Sequence, residues 1–207
     1  LGPAELLLNY GTKEQKEYYL PRLATGKDLP CFALTETLAG SDATSIESNG
    51  VLFKDKDNNI KIRLNFSKRY ITLGAYATLI GLAFQLKDPE NLIFDNENVG
   101  ITCALIPNKT KGITQGRRHD PLATPFINSP IDGTNVIIDI DNIIGGDNGL
   151  GNGWKMLMEC LAAGRGISLP STSSGGSKLI SLVTSSYCTI RQQFNSSLSK
   201  FEGIEEV

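Results

Sequence analysis

A short apolar segment runs directly into a polar, flexible turn near the start of the chain. Residues 31–34 predict a buried strand, and Thr35, Gly40 and Ser41 follow it. The Thr35 hydroxyl and main-chain N–H suit the carbonyls or nitrogens of an electron-poor ring, and Gly40 lets the backbone approach a phosphate. A strand that ends in an ordinary Asx or Ser turn is the alternative interpretation. The segment therefore predicts a ligand site at a strand end.

Strands are the elements that must position this turn. From residue 29 to about residue 141 the hydrophobic pattern has a period of two: apolar side chains alternate with polar ones over residues 60–66 and 134–141. Residues 76–86 and 99–107 are longer apolar runs rich in β-formers. Clusters of Gly, Asn, Asp and Pro separate these runs. Many short strands with such punctuation predict an antiparallel barrel or sandwich rather than a parallel sheet.

Helical patterns lie on both sides of the strand region. Residues 3–10 predict the end of a buried helix, and a capping-box pattern at residues 12–15 opens a second. We expect Pro21 to cut that second helix short. Residues 154–163 have helical apolar spacing, and the Gly-rich stretch before them is not the GxGxxG fingerprint of a Rossmann domain.

Composition excludes several classes of protein. The formal charge is −2 and no Lys or Arg run is present, so nucleic acid is not an expected partner. No apolar run approaches the roughly 20 residues that span a bilayer. The four cysteines are widely spaced and the chain has one histidine, His119, so we expect free thiols in a reducing compartment and no metal site. We interpret His119 as a surface or capping residue rather than a catalytic base.

Two blocks of residues resemble a known family. Ala33-Leu34-Thr35-Glu36, followed after two residues by Ala39-Gly40-Ser41-Asp42 and then Ser45, resembles the flavin-contacting signature of the acyl-CoA dehydrogenases. Lys68-Arg69-Tyr70-Ile71-Thr72 resembles their Trp-Ile-Thr motif, with Tyr70 in place of Trp. The whole chain is similar to the long bacterial members that begin fatty-acid β-oxidation, although it covers only part of their fold.

This resemblance implies an α+β multidomain fold with an antiparallel β-barrel middle domain flanked by pieces of two α-helical domains. The expected divisions are residues 1–28, the end of an N-terminal helical domain, residues 29–146, the barrel, and residues 147–207, the start of a C-terminal helical domain. It also implies that the last helix continues to about Phe194 with a kink at Pro170. Because the chain starts and stops inside helical patterns, we expect it to be a fragment.

The implied activity is the FAD-dependent α,β-dehydrogenation of a medium- or long-chain fatty acyl-CoA to a trans-2-enoyl-CoA. In such enzymes a carboxylate removes the α-proton while the β-carbon delivers a hydride to the flavin. The implied partners are the fatty acyl-CoA, an acceptor such as electron-transfer flavoprotein, and at least one further copy of the full-length chain. The expected location is the bacterial cytoplasm, with attachment to the inner membrane as a second option. An acyl-CoA oxidase that uses O2 and a non-catalytic barrel without flavin are the alternatives.

The resemblance carries site residues onto this chain one by one. The implied cofactor-binding residues are Phe32, Ala33, Leu34, Thr35, Gly40, Ser41, Tyr70, Ile71, Thr72, Arg191, Gln192 and Gln193. Ser41 and Arg165 are implied on the acyl-CoA side. Judged without the resemblance, Arg165 is better interpreted as pairing with Glu159 or a helix C-terminus, and Arg191 as a solvated helix charge. Some members carry a Glu where this chain has Gly164, so we expect the general-base Glu to lie outside the chain and no residue of it to be catalytic.

Overall fold

Seven strands form one curled sheet, a half-barrel, in the computed structural model, which describes residues 2–206. The strands are β1 (Pro30–Ala33), β2 (Asn49–Lys54), β3 (Ile60–Thr72), β4 (Leu79–Lys87), β5 (Asn98–Pro107), β6 (Ile113–Gln115) and β7 (Asn128–Asp139). The helices before and after them are α1 (Gly2–Tyr10), α2 (Lys13–Ala24) and α3 (Gly153–Ala163). Short 3-10 turns lie at Ala43–Ser45, Pro121–Ala123, Ile140–Asn142 and Gly146–Gly149. The chain divides into two units, one up to Leu161 and one from Ala162 onward.

The predicted barrel is confirmed as a curled half-barrel, but its sheet is mixed rather than antiparallel throughout. Along one edge β4 pairs antiparallel with β5, and along its other edge it pairs parallel with β1 and then with β2. In this register Ala33 lies opposite Leu82 and Asn49 lies opposite Gln85. The pairs β2–β3, β3–β7 and β6–β7 are antiparallel, as predicted. Strand direction depends on how the chain re-enters the sheet after residues 34–48, and hydrophobic period does not encode that.

Apolar packing on both faces of the sheet explains the two kinds of strand pattern. The inner face of the half-barrel holds Leu52, Ile62, Leu64 and Phe84, all fully buried. The outer face of β4 and β5 packs against α1 and α3 through a second set of buried residues, including Leu6, Leu7, Leu79, Ala83, Leu105, Met156 and Leu157. β4 is covered on both faces, so its sequence is a nearly continuous apolar run. β3 is covered on one face, so buried and exposed side chains alternate along it.

Gln15 joins α2 by hydrogen bonds to the segment that follows β7. Its Nε2 donates to the carbonyls of Asp141 and Ile143 at 2.9 and 2.6 Å, and its Oε1 accepts from the Gly145 N–H at 3.0 Å. The predicted capping box at Thr12 and Gln15 is confirmed. Pro21 lies inside α2 rather than at its end, because the helix continues to Ala24 and Thr25 is its C-cap. Pro21 lies in the last turn, so it removes only the bond to the carbonyl of residue 17, whose side chain is exposed.

The second unit is mainly helical. A π-helical turn at Gly164–Ser168 precedes α4 (Leu169–Ile190), and a two-residue hairpin, β8 (Gln192–Gln193) with β9 (Ser196–Ser197), follows it. A 3-10 turn at Leu198–Lys200 and α5 (Glu202–Glu205) complete the unit. The prediction that the helix reaches Phe194 is therefore wrong, since Phe194 and Asn195 take the left-handed backbone of the hairpin turn, at φ 53° and 60°.

Two further observations concern the chain as a whole. The four cysteines are free, with Cys31, Cys103 and Cys188 buried and Cys160 half-buried. Over residues 2–206, none of the helices combines the length and the apolar character needed to cross a membrane. The domain divisions at residues 28 and 146 stay a prediction.

Candidate functional site

A cavity of about 400 Å³ opens where β1 ends and β3 approaches its own end. Five of the predicted cofactor residues line it: Phe32, Thr35, Tyr70, Ile71 and Thr72. Gly2 and Pro3 of α1, Leu161 of α3, and Pro30, Cys31 and Leu73 complete the described lining. The volume falls in the range of about 300–1,000 Å³ that is usual for small-molecule sites. The two blocks singled out in the sequence, some 30 residues apart, thus meet at one cleft.

An irregularity in β3 turns Tyr70 toward this cavity. The pairing of β3 with β7 shifts register between Lys68 and Ile71, and Tyr70 there has a left-handed backbone with φ 58°. A bulge of this kind re-aims a side chain away from the regular pleat. The Tyr70 ring is 53% exposed while the Ile71 side chain is buried. Positive φ is costly for a residue with a Cβ, and such strain concentrates at functional sites.

A buried ion pair holds the two lining segments together. Lys68, fully buried in β3, donates from Nζ to Glu36 Oε1 at 2.7 Å and to the Leu34 carbonyl at 3.0 Å. The next residue, Arg69, donates its main-chain N–H to the Thr35 carbonyl at 2.9 Å. Three consecutive residues of the turn are therefore bonded to two consecutive residues of β3. This arrangement fixes Thr35 relative to Tyr70 across the cavity.

Glu36 stays charged in this setting. Burial by itself raises the pKa of the Glu36 carboxyl, but the hydrogen bonds from Lys68 and from the Ser48 and Glu47 N–H groups outweigh it and hold the pKa below its usual range. We missed this pair in the sequence, although a signal for it was present. Residues 60, 62, 64 and 66 lie on the buried face by alternation, and Lys68 continues this face. A cation buried there requires an anionic partner.

The lowered pKa of Glu36 predicts a pH-dependent stability. A carboxyl whose folded-state pKa is depressed adds stability above its unfolded value of 4.5, and that stability is lost as pH falls through the folded pKa. We expect the free energy of unfolding of the wild type, relative to the uncharged Lys68→Met/Glu36→Gln variant, to fall as pH drops from about 6 to below 4. Urea unfolding across this range measures it. A difference that stays constant down to pH 3 would contradict the assignment.

The other predicted residues of the turn lie outside the cavity lining. Ala33 is fully buried in the core and Leu34 is half-buried, so each can reach a ligand mainly through its main chain. Gly40 and Ser41 lie on an exposed turn that the Glu36 N–H closes by donating to the Ala39 carbonyl at 3.0 Å. Their roles as cofactor and substrate contacts stay a prediction.

Four predicted residues belong to the second unit. Arg165 lies in the π-helical turn with its side chain exposed. Arg191 follows the last residue of α4, and Gln192 and Gln193 form β8. These three are exposed and sit on a tight hairpin rather than on the helix that the sequence predicted. Their contacts with an acyl-CoA or a cofactor stay a prediction.

Sequence reasoning missed the place of His119. Its ring lies 4.9 Å from the Tyr70 ring, centroid to centroid, and its main-chain N–H donates to the Asn128 carbonyl at 2.8 Å. The side chain is half-buried rather than on the surface, and its Nε2 is buried with no hydrogen-bond partner among the described residues. Nothing in its local sequence, Arg117 to Pro121, indicates this neighbour, because the contact joins a loop to a distant strand.

The cavity offers the groups that bind and orient a planar ring. Thr35 and Thr72 supply hydroxyls and main-chain groups, Tyr70 supplies an aromatic face, and Phe32 and Leu161 supply apolar contacts. No Asp or Glu occurs among the described lining residues. Within residues 2–206, no three His, Cys, Asp or Glu side chains are grouped so as to hold a metal ion. The described site is thus suited to holding an organic cofactor with both polar and apolar edges.

Comparisons with known proteins match half of the chain to one family model. The family model for the acyl-CoA dehydrogenase middle domain matches residues 31–136, half of the chain. A Proteus mirabilis protein called HemX is 52% identical over 111 residues, which are 54% of this chain and 65% of that protein. The very long-chain specific acyl-CoA dehydrogenase of Rattus norvegicus is 30% identical over 203 residues, 97% of this chain and 30% of that enzyme.

A solved structure extends the likeness to three dimensions. The glutaryl-CoA dehydrogenase of Mycobacterium smegmatis, crystallised with FADH2, superposes with a TM-score of 0.73 at 26% identity. The match covers 99% of this chain and 48% of that one. The chain spans less than two thirds of the length of each of these three proteins.

Proposed function

The chain belongs to the acyl-CoA dehydrogenase family, and we propose that it serves the FAD-dependent α,β-dehydrogenation of a medium- or long-chain fatty acyl-CoA to the trans-2-enoyl-CoA. The observation that carries this proposal is the meeting of Thr35 with Tyr70, Ile71 and Thr72 around one cavity. Those residues come from two separate blocks that share no element of secondary structure. FADH2 in the related glutaryl-CoA dehydrogenase supports the choice of cofactor.

The residues of this cavity fit the ring system of FAD. We propose that Thr35 and Thr72 hydrogen-bond the polar edge of the ring and that Tyr70 covers one of its faces. Phe32 and Ile71 contribute apolar contact, and the exposed turn with Gly40 and Ser41 lies free to meet a phosphate or the CoA side. When bound, FAD supplies the acceptor for the hydride that leaves the substrate β-carbon.

The protein's own contribution to the chemistry is to bind, orient and exclude water. An α-C–H next to a thioester is a very weak acid, so the reaction needs a dry pocket and a base with a raised pKa. We propose that this base is a Glu outside residues 1–207, since Gly164 occupies the position where some relatives carry one. We further propose that Arg165 contacts the acyl-CoA, and that Arg191, Gln192 and Gln193 contact the FAD of a second copy.

One experiment on the natural-length protein tests the activity. We expect the purified protein to show the visible absorbance of oxidised flavin, and expect anaerobic addition of a medium- or long-chain acyl-CoA to bleach it. The order of bleaching rates for acyl-CoAs of increasing length would give the preferred substrate. Electron-transfer flavoprotein should then restore the oxidised spectrum faster than air does.

Two outcomes would contradict the proposal. Rapid reoxidation in air with stoichiometric hydrogen peroxide would indicate an acyl-CoA oxidase. A colourless protein that fails to take up added FAD would indicate a barrel retained without its cofactor. Bleaching that needs an intact Thr35 would tie the activity to the cavity described here.

A further inference from the structure

The bulge in β3 leaves Tyr70 about half exposed at the edge of the cavity. The ring is 53% exposed, and its backbone at φ 58° turns it out of the sheet. Two contacts define its position: the Arg69 guanidinium carbon, 4.7 Å from the ring centroid, and the His119 ring, 4.9 Å away at an interplanar angle of 48°. Arg69 adjoins Tyr70 in sequence, whereas the His119 ring reaches Tyr70 from a distant loop.

Main-chain hydrogen bonds attach the segment that contains His119 to β7. Its N–H bond to the Asn128 carbonyl, at 2.8 Å, attaches it to the first residue of β7, and Asn128 lies opposite Thr72 in the sheet. The Gly116 N–H donates to the Pro130 carbonyl at 3.0 Å and fixes the segment before it. His119 is therefore anchored to the same strand pair that carries Tyr70 and Thr72.

One atom of the half-buried His119 ring, Nε2, is buried at a cost that no hydrogen bond among the described residues offsets. Its Nε2 is shielded from solvent and has no partner among the described residues, and the neighbouring Asn128 Oδ1 is in the same condition. A buried polar atom left without a partner opposes folding, and each such atom in a native protein calls for an explanation. An apolar ring at position 119 would keep the contact with Tyr70 and avoid the unpaired nitrogen.

From these observations we infer that His119 is a positioning residue for the cofactor site, which acts by holding the Tyr70 ring against the bound ring system. The inference rests on the proposed function. The imidazole of His119 supplies a second ring beside the Tyr70 phenol. The loop that contains His119, residues 116–127, thereby forms a supporting layer of the site that neither sequence block includes.

The first test uses the natural-length protein without FAD and follows Tyr70 itself. Aromatic NMR of the protein labelled in tyrosine, with Tyr70 assigned from the Tyr70→Phe spectrum, reports the ring environment. We expect His119→Leu to shift the Tyr70 ring signals, because ring-current effects act over a few ångströms, and expect Arg118→Ala, on the exposed neighbouring residue, to leave them in place. Unchanged Tyr70 signals in folded His119→Leu would overturn the inference, whatever the protein binds.

The second test measures FAD dissociation constants in two backgrounds. We expect His119→Leu to weaken FAD binding by about twofold to tenfold in the wild type, the range that corresponds to one aromatic pair. In the Tyr70→Ala background the same change should have less than about a 1.5-fold effect, since His119 acts through Tyr70. His119→Phe, which keeps a ring, should bind FAD as the wild type does. An equal loss in both backgrounds would show that His119 does not act through Tyr70.

The two tests distinguish a failure of this inference from a failure of the proposed function. If the wild type binds no FAD, the proposed function fails and the cofactor role of His119 fails with it, whereas the NMR arm still decides whether His119 lies against Tyr70. If FAD binds and only the NMR shift is absent, the proposed function stands and this inference is wrong. Thermal unfolding of each apoprotein shows whether His119→Leu folds, and His119→Gln, which also removes the ring, replaces it in both tests if it does not.

Discussion

Lys68→Met is expected to lower the free energy of unfolding by about 3–5 kcal/mol, because it leaves the Glu36 carboxylate buried without its cation. The side chains are 0% and 8% exposed, so water cannot replace the lost partner. The Leu34 carbonyl also loses its donor. Urea unfolding at pH 7 measures the change. Since the pair connects the turn with β3, the same variant should weaken FAD binding as well.

A second variant distinguishes an unpaired charge from a general packing defect. Lys68→Met/Glu36→Gln removes both charges and keeps an oxygen that can accept from the Glu47 and Ser48 N–H groups. We expect it to be more stable than Lys68→Met by about 2 kcal/mol or more. Lys61→Met is the matched control on the same strand, and its partly exposed pairs with Asp55 and Asp139 should contribute about 1 kcal/mol or less. A double variant no more stable than the single one would refute the buried pair.

Thr35→Trp is expected to lower the affinity for FAD on the order of 100-fold, because the indole would occupy the cavity that Thr35 lines. Keeping a ring system from burying about 100 Å² of apolar surface costs roughly 2.5 kcal/mol, which corresponds to that factor. The Thr35 carbonyl would still accept from Arg69, so the backbone arrangement should persist. Equilibrium titration of the apoprotein with FAD measures the effect.

Leu38→Trp is the control for this substitution. Leu38 lies in the same turn, is 79% exposed and does not occur among the described lining residues. The same indole there should leave FAD affinity within about twofold of the wild type. Equal losses in both variants would mean that the turn as a whole, and not the cavity, determines binding. Wild-type affinity in a folded Thr35→Trp would exclude the cavity as the flavin site.

Side-chain period was enough to find β3, β4, β5 and the second half of β7, whereas the short strands β2 and β6 were not predicted. Alternation from Ile60 to Phe66 located β3, and the long apolar runs located β4 and β5, because burial is a local property that every second residue reports. The same alternation extends to Lys68 and places a cation in the core, which identifies Glu36 as a partner once the turn is considered. The Lys68–Glu36 pair could therefore have been predicted from the sequence.

Strand direction and backbone reversals depend on non-local contacts. The parallel pairing of β1 and β2 with β4 is set by the route of residues 34–48 and has no counterpart in the hydrophobic period. The hairpin after α4 requires positive φ at Phe194 and Asn195, and only the Asn is typical of such a turn. His119 and Tyr70 lie 49 positions apart, so their ring contact follows from the fold alone.

β1 and β2 pair with the same edge of β4, which affects how much the length of the segment between them can vary. Residues 34–48 leave the sheet opposite Leu82 and return opposite Gln85, so the ends of this excursion are about 10 Å apart on a single strand. For a flexible segment with fixed ends, doubling the length adds only about 0.6 kcal/mol of closure entropy. Insertions among the mostly exposed residues 40–45, between the buried Ala39 and Ile46, can therefore lengthen this turn while both cores keep their packing, so its length can diverge at little risk to folding.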